Sequence, residues 1–491
     1  MGRTATLFAL LLASTYACAQ EDAFNLGVLG AEGLPIRKPG EELRLPRGSV
    51  AIRVTHILET GPARDAGLQV EDVIIGVNGA YLTKKLDPIY QLVDMFEMVT
   101  SRKEPKATLS VMREGKPQAL NLRLPALGAH TAGCPVGCAR CEAMVAESLK
   151  FLTEQQGADG GFPIGIGGLN GRVVVTSLAG LAFLANGSTP TAGPFADNIV
   201  RAAEFVMKNC GRDEMEAWPG AGGGEDGGTR GQPGNGGGRG GANWNQTNWA
   251  YGYGSLFLAE VVKADPTPER EQRLTEFMQT IEKNQEPSGG WAHGPGGPNA
   301  LNYLELQIVG NLELAGLGAC RKAGLKPSQM VIDKGIAYAI ATTGGDGGIG
   351  YSDQPGQKGM GDPGRTAQAA WAMCLLDMQK HPLFPKCSSF FKRSMEDLPN
   401  GHVSPIMHYT SAAFACGWLG GEHYKNFNAL FRLEILAARR PDGTFSARPT
   451  AESRAMRNNT DRTLGASWTT ASYAIILQVP RGKLRILIPA K

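Results

Sequence analysis

The stretches Gln156-Gly-Ala-Asp-Gly-Gly-Phe162 and Gln285-Glu-Pro-Ser-Gly-Gly-Trp291 are two copies of one link, Q-x-x-x-G-x-(F/W), set roughly two repeat lengths apart. Weaker copies read Gly345-Asp-Gly-Gly-Ile-Gly-Tyr351, Pro399-Asn-Gly-His402 and Pro441-Asp-Gly-Thr-Phe445, and a sixth, near Asn209 to Trp218, runs into an insertion. Self-similarity at a fixed period marks an array of one structural unit. Each link joins two helical stretches. The one before it is amphipathic, with apolar residues at three-to-four spacing: 142–155, 197–209, 269–285, 328–342, 384–395 and 425–439. The one after it is nearly free of Lys and Asp and dense in Ala, Gly, Ser and Thr: 173–185, 248–262, 303–321, 366–379, 409–419 and 467–478. That is the composition of helices covered on all sides and closely approached. Six outer and six inner helices close into an (α/α)6 toroid over residues 142–479, with a cavity expected where inner helix ends and Gly-rich links converge.

At 491 residues the chain is too long for one ordinary core. Its 49 Lys and Arg against 46 Asp and Glu leave a formal charge of +3, with no basic stripe interleaved with aromatics, so no nucleic-acid partner is expected. Met1-Gly-Arg3, the apolar run Leu7 to Ala13 and Ala17-Cys18-Ala19 have the three regions of a secretory signal, predicted to span residues 1–19 with cleavage before Gln20. A lipid anchor on Cys18 is the rival, and Thr15-Tyr16-Ala17 fits a lipidation site poorly. No later stretch reaches the ~20 apolar residues of a membrane span. The expectation is an exported protein, periplasmic or extracellular, with no span.

Eight cysteines follow the signal. Cys320, Cys374 and Cys416 sit among Ala, Leu and Met and read as small buried hydrophobes. Cys134, Cys138 and Cys141 crowd together in a linker, residues 126–141. Their C-x3-C-x2-C spacing equals that of radical iron–sulfur enzymes using S-adenosylmethionine, and His130 would add a fourth metal ligand. Export favours disulfides, and no βα barrel pattern follows to house such a cluster. A disulfide or structural role is therefore expected, a metal is the weaker alternative, and no cofactor is expected.

Residues 24–125 read as short strands with one helix. Ser49 to Leu58 alternates and is rich in β-branched residues, Asp72 to Val77 ends in the Asn78-Gly79 turn, Asp87 to Thr100 has a helical apolar face, and 107–111 with 120–124 form a hairpin around Glu114-Gly-Lys. Leu26-Gly-Val-Leu-Gly-Ala-Glu32, Gly61-Pro-Ala-Arg-Asp-Ala-Gly67-Leu and Glu71-Asp-Val-Ile-Ile-Gly-Val-Asn-Gly79, in this order, resemble PDZ domains of the kind attached to periplasmic HtrA-type proteases. The resemblance implies a small β-sandwich or barrel that binds a peptide or protein C-terminus. Asn25, Leu26, Gly27 and Val28 would supply the carboxylate loop and first groove strand, and the helix from Asp87 the opposite wall. A packing role for the module is the other reading. There is no Gly-x-Ser-x-Gly or comparable nucleophile context, so no protease is expected.

The Q-x-x-x-G-x-(F/W) links resemble the stitching repeat of terpenoid cyclases and protein prenyltransferase subunits. The resemblance implies the fold, but the Asp-x-Asp-Asp acid motif, the zinc ligand set and the complement-type thioester sequence are missing. Over nearly the whole mature chain, Asn25-Leu-Gly, Leu127-Gly-Ala-His, Cys134-Pro, Tyr251-Gly-Tyr-Gly-Ser-Leu-Phe-Leu-Ala-Glu260 and His408-Tyr-Thr-Ser-Ala-Ala-Phe-Ala resemble a family of exported bacterial proteins. These join a PDZ domain to an α/α toroid that is a domain of unknown function. The implied fold class is multidomain α and β, an HtrA-type PDZ domain followed by an all-α toroid and a tail from 480 to 491.

Residues 219–241 form a Gly-rich insertion, expected to be a long loop. Trp244, Trp249, Tyr251 and Tyr253 follow it, and with Tyr303, Tyr409 and Trp468 they are candidates to line a cavity for a glycan or apolar ligand. Each aromatic also suits a packed core. Glu305, Asp362 and His408 are weak catalytic candidates for acid–base work on a polymer. Asp346 and Asp442 also read as turn formers, and Asp362 before Pro363 as a helix N-cap. No complete catalytic motif is present, so enzyme status stays open. The leading expectation is an exported binding or scaffold protein, with a PDZ partner and a second ligand in the toroid. A polysaccharide- or polymer-acting hydrolase or lyase using the cavity carboxylates and His408 is the alternative, and a cyclase or prenyltransferase the remote one.

Overall fold

In the computed structural model, residues 22–131, 133–165, 168–212, 246–294 and 304–489 are described. The predicted signal at 1–19, the insertion at 219–241, Trp244 and Tyr303 lie outside them. The first part is one antiparallel sheet: β1 (Phe24–Asn25), β2 (Ala31–Ile36), β3 (Ala51–Ile57), β4 (Val73–Val77), β5 (Ala80–Tyr81), β6 (Lys106–Arg113) and β7 (Lys116–Arg123). Its order is β1-β2-β3-β4-β6-β7, with β5 paired to β4. A single turn, α1 (Pro62–Asp65), precedes β4, and α2 (Pro88–Thr100) lies against the sheet, its start capped by the Asp87 carboxylate accepting from Ile89 N–H.

Among the described residues, twelve helices make the ring. The outer ones are α3 (Ala139–Gln155), α5 (Ala196–Asn209), α7 (Pro268–Lys283), α9 (Gln329–Thr342), α11 (Leu383–Ser394) and α13 (Gly421–Ala438). The inner ones are α4 (Gly168–Ala185), α6 (Thr247–Ala264), α8 (Gln307–Ala323), α10 (Pro363–Leu375), α12 (Pro405–Leu419) and α16 (Ala466–Gln478). Each inner helix packs on the next, and α16 returns to α4, closing the circle. Two short helices the sequence reading did not contain, α14 (Ala451–Met456) and α15 (Thr460–Leu464), occupy the last link. The inner helix α4 is apolar enough along its 18 residues to cross a membrane, yet 83% of it is buried within the ring.

The links explain the stitching. Gln156 Nε2 donates to Gly160 O (2.9 Å) and to Asn198 O on the next outer helix (3.0 Å); Gln285 Nε2 repeats this with Gly289 O (3.0 Å) and Val331 O (2.8 Å). Gly401 of the fifth link has φ −54°, but the turn glycines of four others have positive φ, 86° at Gly160, 92° at Gly289, 90° at Gly347 and 83° at Gly443. A Cβ there would strike the next outer helix, 2.2 Å from Arg201 O at Gly160 and 2.4 Å from Lys334 O at Gly289. At Gly443 it would meet Glu147, so the last link presses on the first outer helix. Asp159, Asp346 and Asp442 each accept from the backbone N–H two residues on, the turn-forming bond expected of Asp346 and Asp442.

The tail closes the end of the ring opposite the links. Glu260, fully buried on α6, accepts backbone N–H groups of Arg485, Ile486 and Leu487, each at 2.8 Å. Trp371 and Trp418 both donate to Leu487 O, at 3.0 and 2.9 Å. Leu484, Ile486, Leu487 and Ile488 are thereby buried.

Candidate functional site

The described link residues lie at the N-terminal end of the inner helices, and this end gathers the most chemistry. Asp362, ahead of α10, accepts from Arg365 N–H (2.8 Å) as the N-cap and lies 3.1 Å from His408 Nδ1 on α12. The His408 ring is held between two glycines: a Cβ on Gly364 would be 2.0 Å from Nδ1, and one on Gly401 2.5 Å from it. Burial raises the Asp362 pKa, but His408 and Arg365 outweigh it, so the carboxyl is held well below its usual range. Arg365 itself is buried and lies over the Tyr351 ring, 5.6 Å from its centroid.

Beside this pair stands Asp461, wholly buried at the end of the last link. It accepts from Ser404 Oγ, from Trp468 Nε1 (2.9 Å) and from Ile406 N–H (3.2 Å). Burial pushes its carboxyl up, opposed by those donors and by His408, leaving it raised overall. Two carboxyls are thus driven in opposite directions around one imidazole. At the rim His402 Nδ1 pairs with Glu452 at 2.7 Å and meets Tyr351 edge-on at 5.2 Å.

The other candidates divide. Glu305 stays with its own link, accepting from Ser288 Oγ at 3.1 Å, and makes no hydrogen bond or ion pair with Asp362 or His408 among those described. Tyr253 of α6 meets Trp468 of α16 edge-on at 6.1 Å, and both are buried inside the ring. Tyr251 packs outward on Phe277 at 5.5 Å, and Tyr409 on Phe431 at 5.0 Å. Trp249 is half-buried, donating to His293 Nδ1 at 2.7 Å. Trp244 and Tyr303 are outside the described residues. Sequence reasoning missed Asp461, Ser404, His402 and Glu452. The available signal was the polar run Asn459-Thr-Asp461, with a capping Asn, inside the long last link.

The sheet presents a second candidate. Val28 does face Val93 and Phe96 of α2, the two walls expected of a peptide groove, but Leu436 of α13 closes it. Asn25, Leu26, Gly27 and Val28 are all buried. Asn25 Nδ2 lies within hydrogen-bond reach of three carbonyls at the end of α13, Ala437 (2.6 Å), Ala438 (3.2 Å) and Arg439 (3.0 Å). β1 also covers β2 at Glu32 and Gly33, where a peptide strand would add. The loop expected to capture a carboxylate instead caps a helix C-terminus, because both jobs need donors aimed at carbonyl or carboxylate oxygens. Tyr90 of α2 and Arg448 both donate to Glu434 of α13, extending the contact.

The expected disulfide does not appear. All eight cysteines of the described residues are free thiols, with Cys134 and Cys141 Sγ 3.1 Å apart.

Among curated relatives, a probable periplasmic serine endoprotease, DegP-like, from Pseudomonas putida F1 is 36% identical over 111 residues, 21% of each chain. That of Pseudomonas savastanoi pv. phaseolicola is 40% identical over 75 residues, 15% of this chain and 14% of that one. The chain therefore spans about a fifth or less of the length of the curated relatives it matches. Among solved structures, a sugar epimerase from a ruminal bacterium aligns at TM-score 0.42 and 13% identity, covering 70% of this chain and 99% of that one. A type II terpene cyclase from Scytonema aligns at TM-score 0.41 and 15% identity, covering 70% and 98%. Likeness at this level assigns no chemistry. Residues 167–487, the ring from its first inner helix to the sealing tail, match the family model described as a domain of unknown function (DUF6288), and the chain belongs to that family.

Proposed function

We propose that this chain is an exported binding protein that takes its ligand at the rim of the ring. The reading rests on one observation: Tyr253 and Trp468 are buried against each other inside the ring, with Trp468 tied to Asp461, while Trp249 and Tyr351 are half-buried at the end where the links enter. Aromatic faces of that kind suit sugar rings or an apolar polymer. Export is part of the proposal, supported by the signal-like start and by similarity to periplasmic proteins over a fifth of the chain. The PDZ-like sheet serves in this reading as a docked unit whose groove meets a partner only after α13 moves away.

Titration of the mature protein with a panel of soluble polysaccharides and peptides, followed by calorimetry, tests it. A ligand bound without turnover, with affinity reduced at least about tenfold in Trp249→Ala or Tyr351→Ala at unchanged Tm, is the expected result. No binding across a panel covering neutral, acidic and basic polymers sinks it.

The Asp362–His408 pair favours a second reading, acid–base cleavage of such a polymer. Opposed pKa shifts on neighbouring carboxyls are the pattern of an acid and a base. Product release lost in Asp362→Asn, with ligand binding retained, would establish it over the first.

A further inference from the structure

We propose that Cys134, Cys138, Cys141 and His130 form a tetrahedral site for zinc at the junction of the sheet and the ring. A ligand atom of His130 and the sulfurs of Cys134 and Cys138 all lie within 4.8 Å of one another. Cys141 Sγ is 3.1 Å from Cys134 Sγ, and the Cys138 thiol lies beside both. Zinc–sulfur bonds of about 2.3 Å in tetrahedral array set sulfurs roughly 3.8 Å apart, so His130, Cys134 and Cys138 form the preassembled part of the set, and Cys141, outside that mutually close group, completes it by turning away from Cys134 and toward the ion. A disulfide consumes only two sulfurs and would leave the third thiol and the imidazole in the cluster with no role.

The surroundings are those of a metal site. His130 Nδ1 lies 3.6 Å from Glu97 Oε1, beyond a hydrogen bond but close enough that a small ring rotation would bring the two into the carboxylate–histidine arrangement that supports metal-bound imidazoles. Three thiolates and a neutral imidazole around a divalent ion carry one net negative charge. Arg140, 1% exposed, sits within electrostatic reach of all three sulfurs and supplies the compensating cation. It also donates to Gly128 O (2.7 Å) and Glu97 O (2.9 Å). Cys138 is the residue that opens α3, where the positive end of the helix favours a thiolate. All three cysteines are buried, whereas His130 is at the surface and gives the ion an entry side.

The site joins pieces distant in sequence. Glu97 belongs to α2, Cys141 to α3, and Asn428 of α13 lies beside the Cys134 thiol. Zinc here would hold the sheet, the linker and the ring as one body, and its loading contributes folding free energy.

Metal analysis of the purified mature chain, prepared without chelator, is the test. About one zinc per chain is expected, with eight reactive thiols after denaturation. Cys138→Ser should lose the zinc. Should that variant fail to fold, His130→Ala, changed at a surface position, is expected to fold and to hold zinc at least about tenfold more weakly in competition with a chelator. A Cys134–Cys141 disulfide in a non-reducing peptide map, with no metal bound, would overturn the proposal. So would an iron–sulfur chromophore in place of zinc, or a His130→Ala protein whose zinc affinity is unchanged.

Discussion

Glu313 on α8 is fully buried and neither of its oxygens has a hydrogen-bond partner among the described residues. Burial drives its carboxyl well above the ordinary value, so the folded chain keeps a proton there that the unfolded chain releases. Stability contributed by this group is intact below the ordinary Glu range, about pH 4.3, and falls as pH rises through and beyond it. Glu313→Gln should therefore be more stable than the parent at pH 8 and close to it at pH 4, measured by urea unfolding at both. Asp362 has the opposite sign. Its lowered folded pKa makes its contribution complete above about pH 3.9, the unfolded value, and lost as pH falls further. Asp362→Asn should remove that part of the acid sensitivity, read as a shallower decline of Tm below pH 4. Neither behaviour was legible in the sequence. Glu313 sits in a small-residue helix that announces burial, but whether a partner reaches it depends on neighbours from other repeats. Asp362 was legible as an N-cap because Asp-Pro is a local signal, whereas its pairing with His408 is not local.

Among the elements, the inner helices were the most legible part of the chain. Their ends agree with the sequence reading to within about five residues, because composition alone reports being covered on every side. The tail was legible only as a remainder after the last repeat. Leu484-Arg-Ile-Leu-Ile488 is short and apolar, and nothing in it says which surface it covers. Its partner is the one acidic residue of α6, Glu260, which holds three backbone donors of the tail. Glu260→Ala leaves those donors buried without an acceptor and should cost on the order of 3 kcal/mol or more in denaturant unfolding. Deletion of residues 483–491 strands the same carboxylate and uncovers Trp371 and Trp418. That truncation should lower Tm further than the point change and raise binding of a hydrophobic dye. Gly364→Ala places a methyl on the His408 ring, so α10 and α12 must separate, and a loss of about 3 kcal/mol is expected by the same measurement.

At the scale of the whole molecule, the decisive contact is the sheet against α13. Gly27 has φ 64°, and a Cβ there would lie 2.8 Å from Leu436 O, so Gly27→Val should lift the sheet from the ring. The expected outcome is faster protease cleavage in residues 124–138, together with new binding of a labelled peptide ending in an apolar residue, followed by fluorescence anisotropy. Unchanged cleavage and no peptide binding would mean the groove is not what α13 covers. The sequence by itself determined the two architectures and their order, since period, turn glycines and side-chain size act over a few residues and each repeat writes them again. It also narrowed the chemistry by the motifs it lacks. The crowding of Cys134, Cys138 and Cys141 with His130 is local and was legible; packing added only its place beside Glu97 and Asn428. Tertiary structure alone decided that Tyr253 meets Trp468 inside the ring and that the peptide loop caps a helix. Both depend on which residues meet across more than a hundred positions of chain. Side chains at that separation share a site only through packing, which no local pattern encodes.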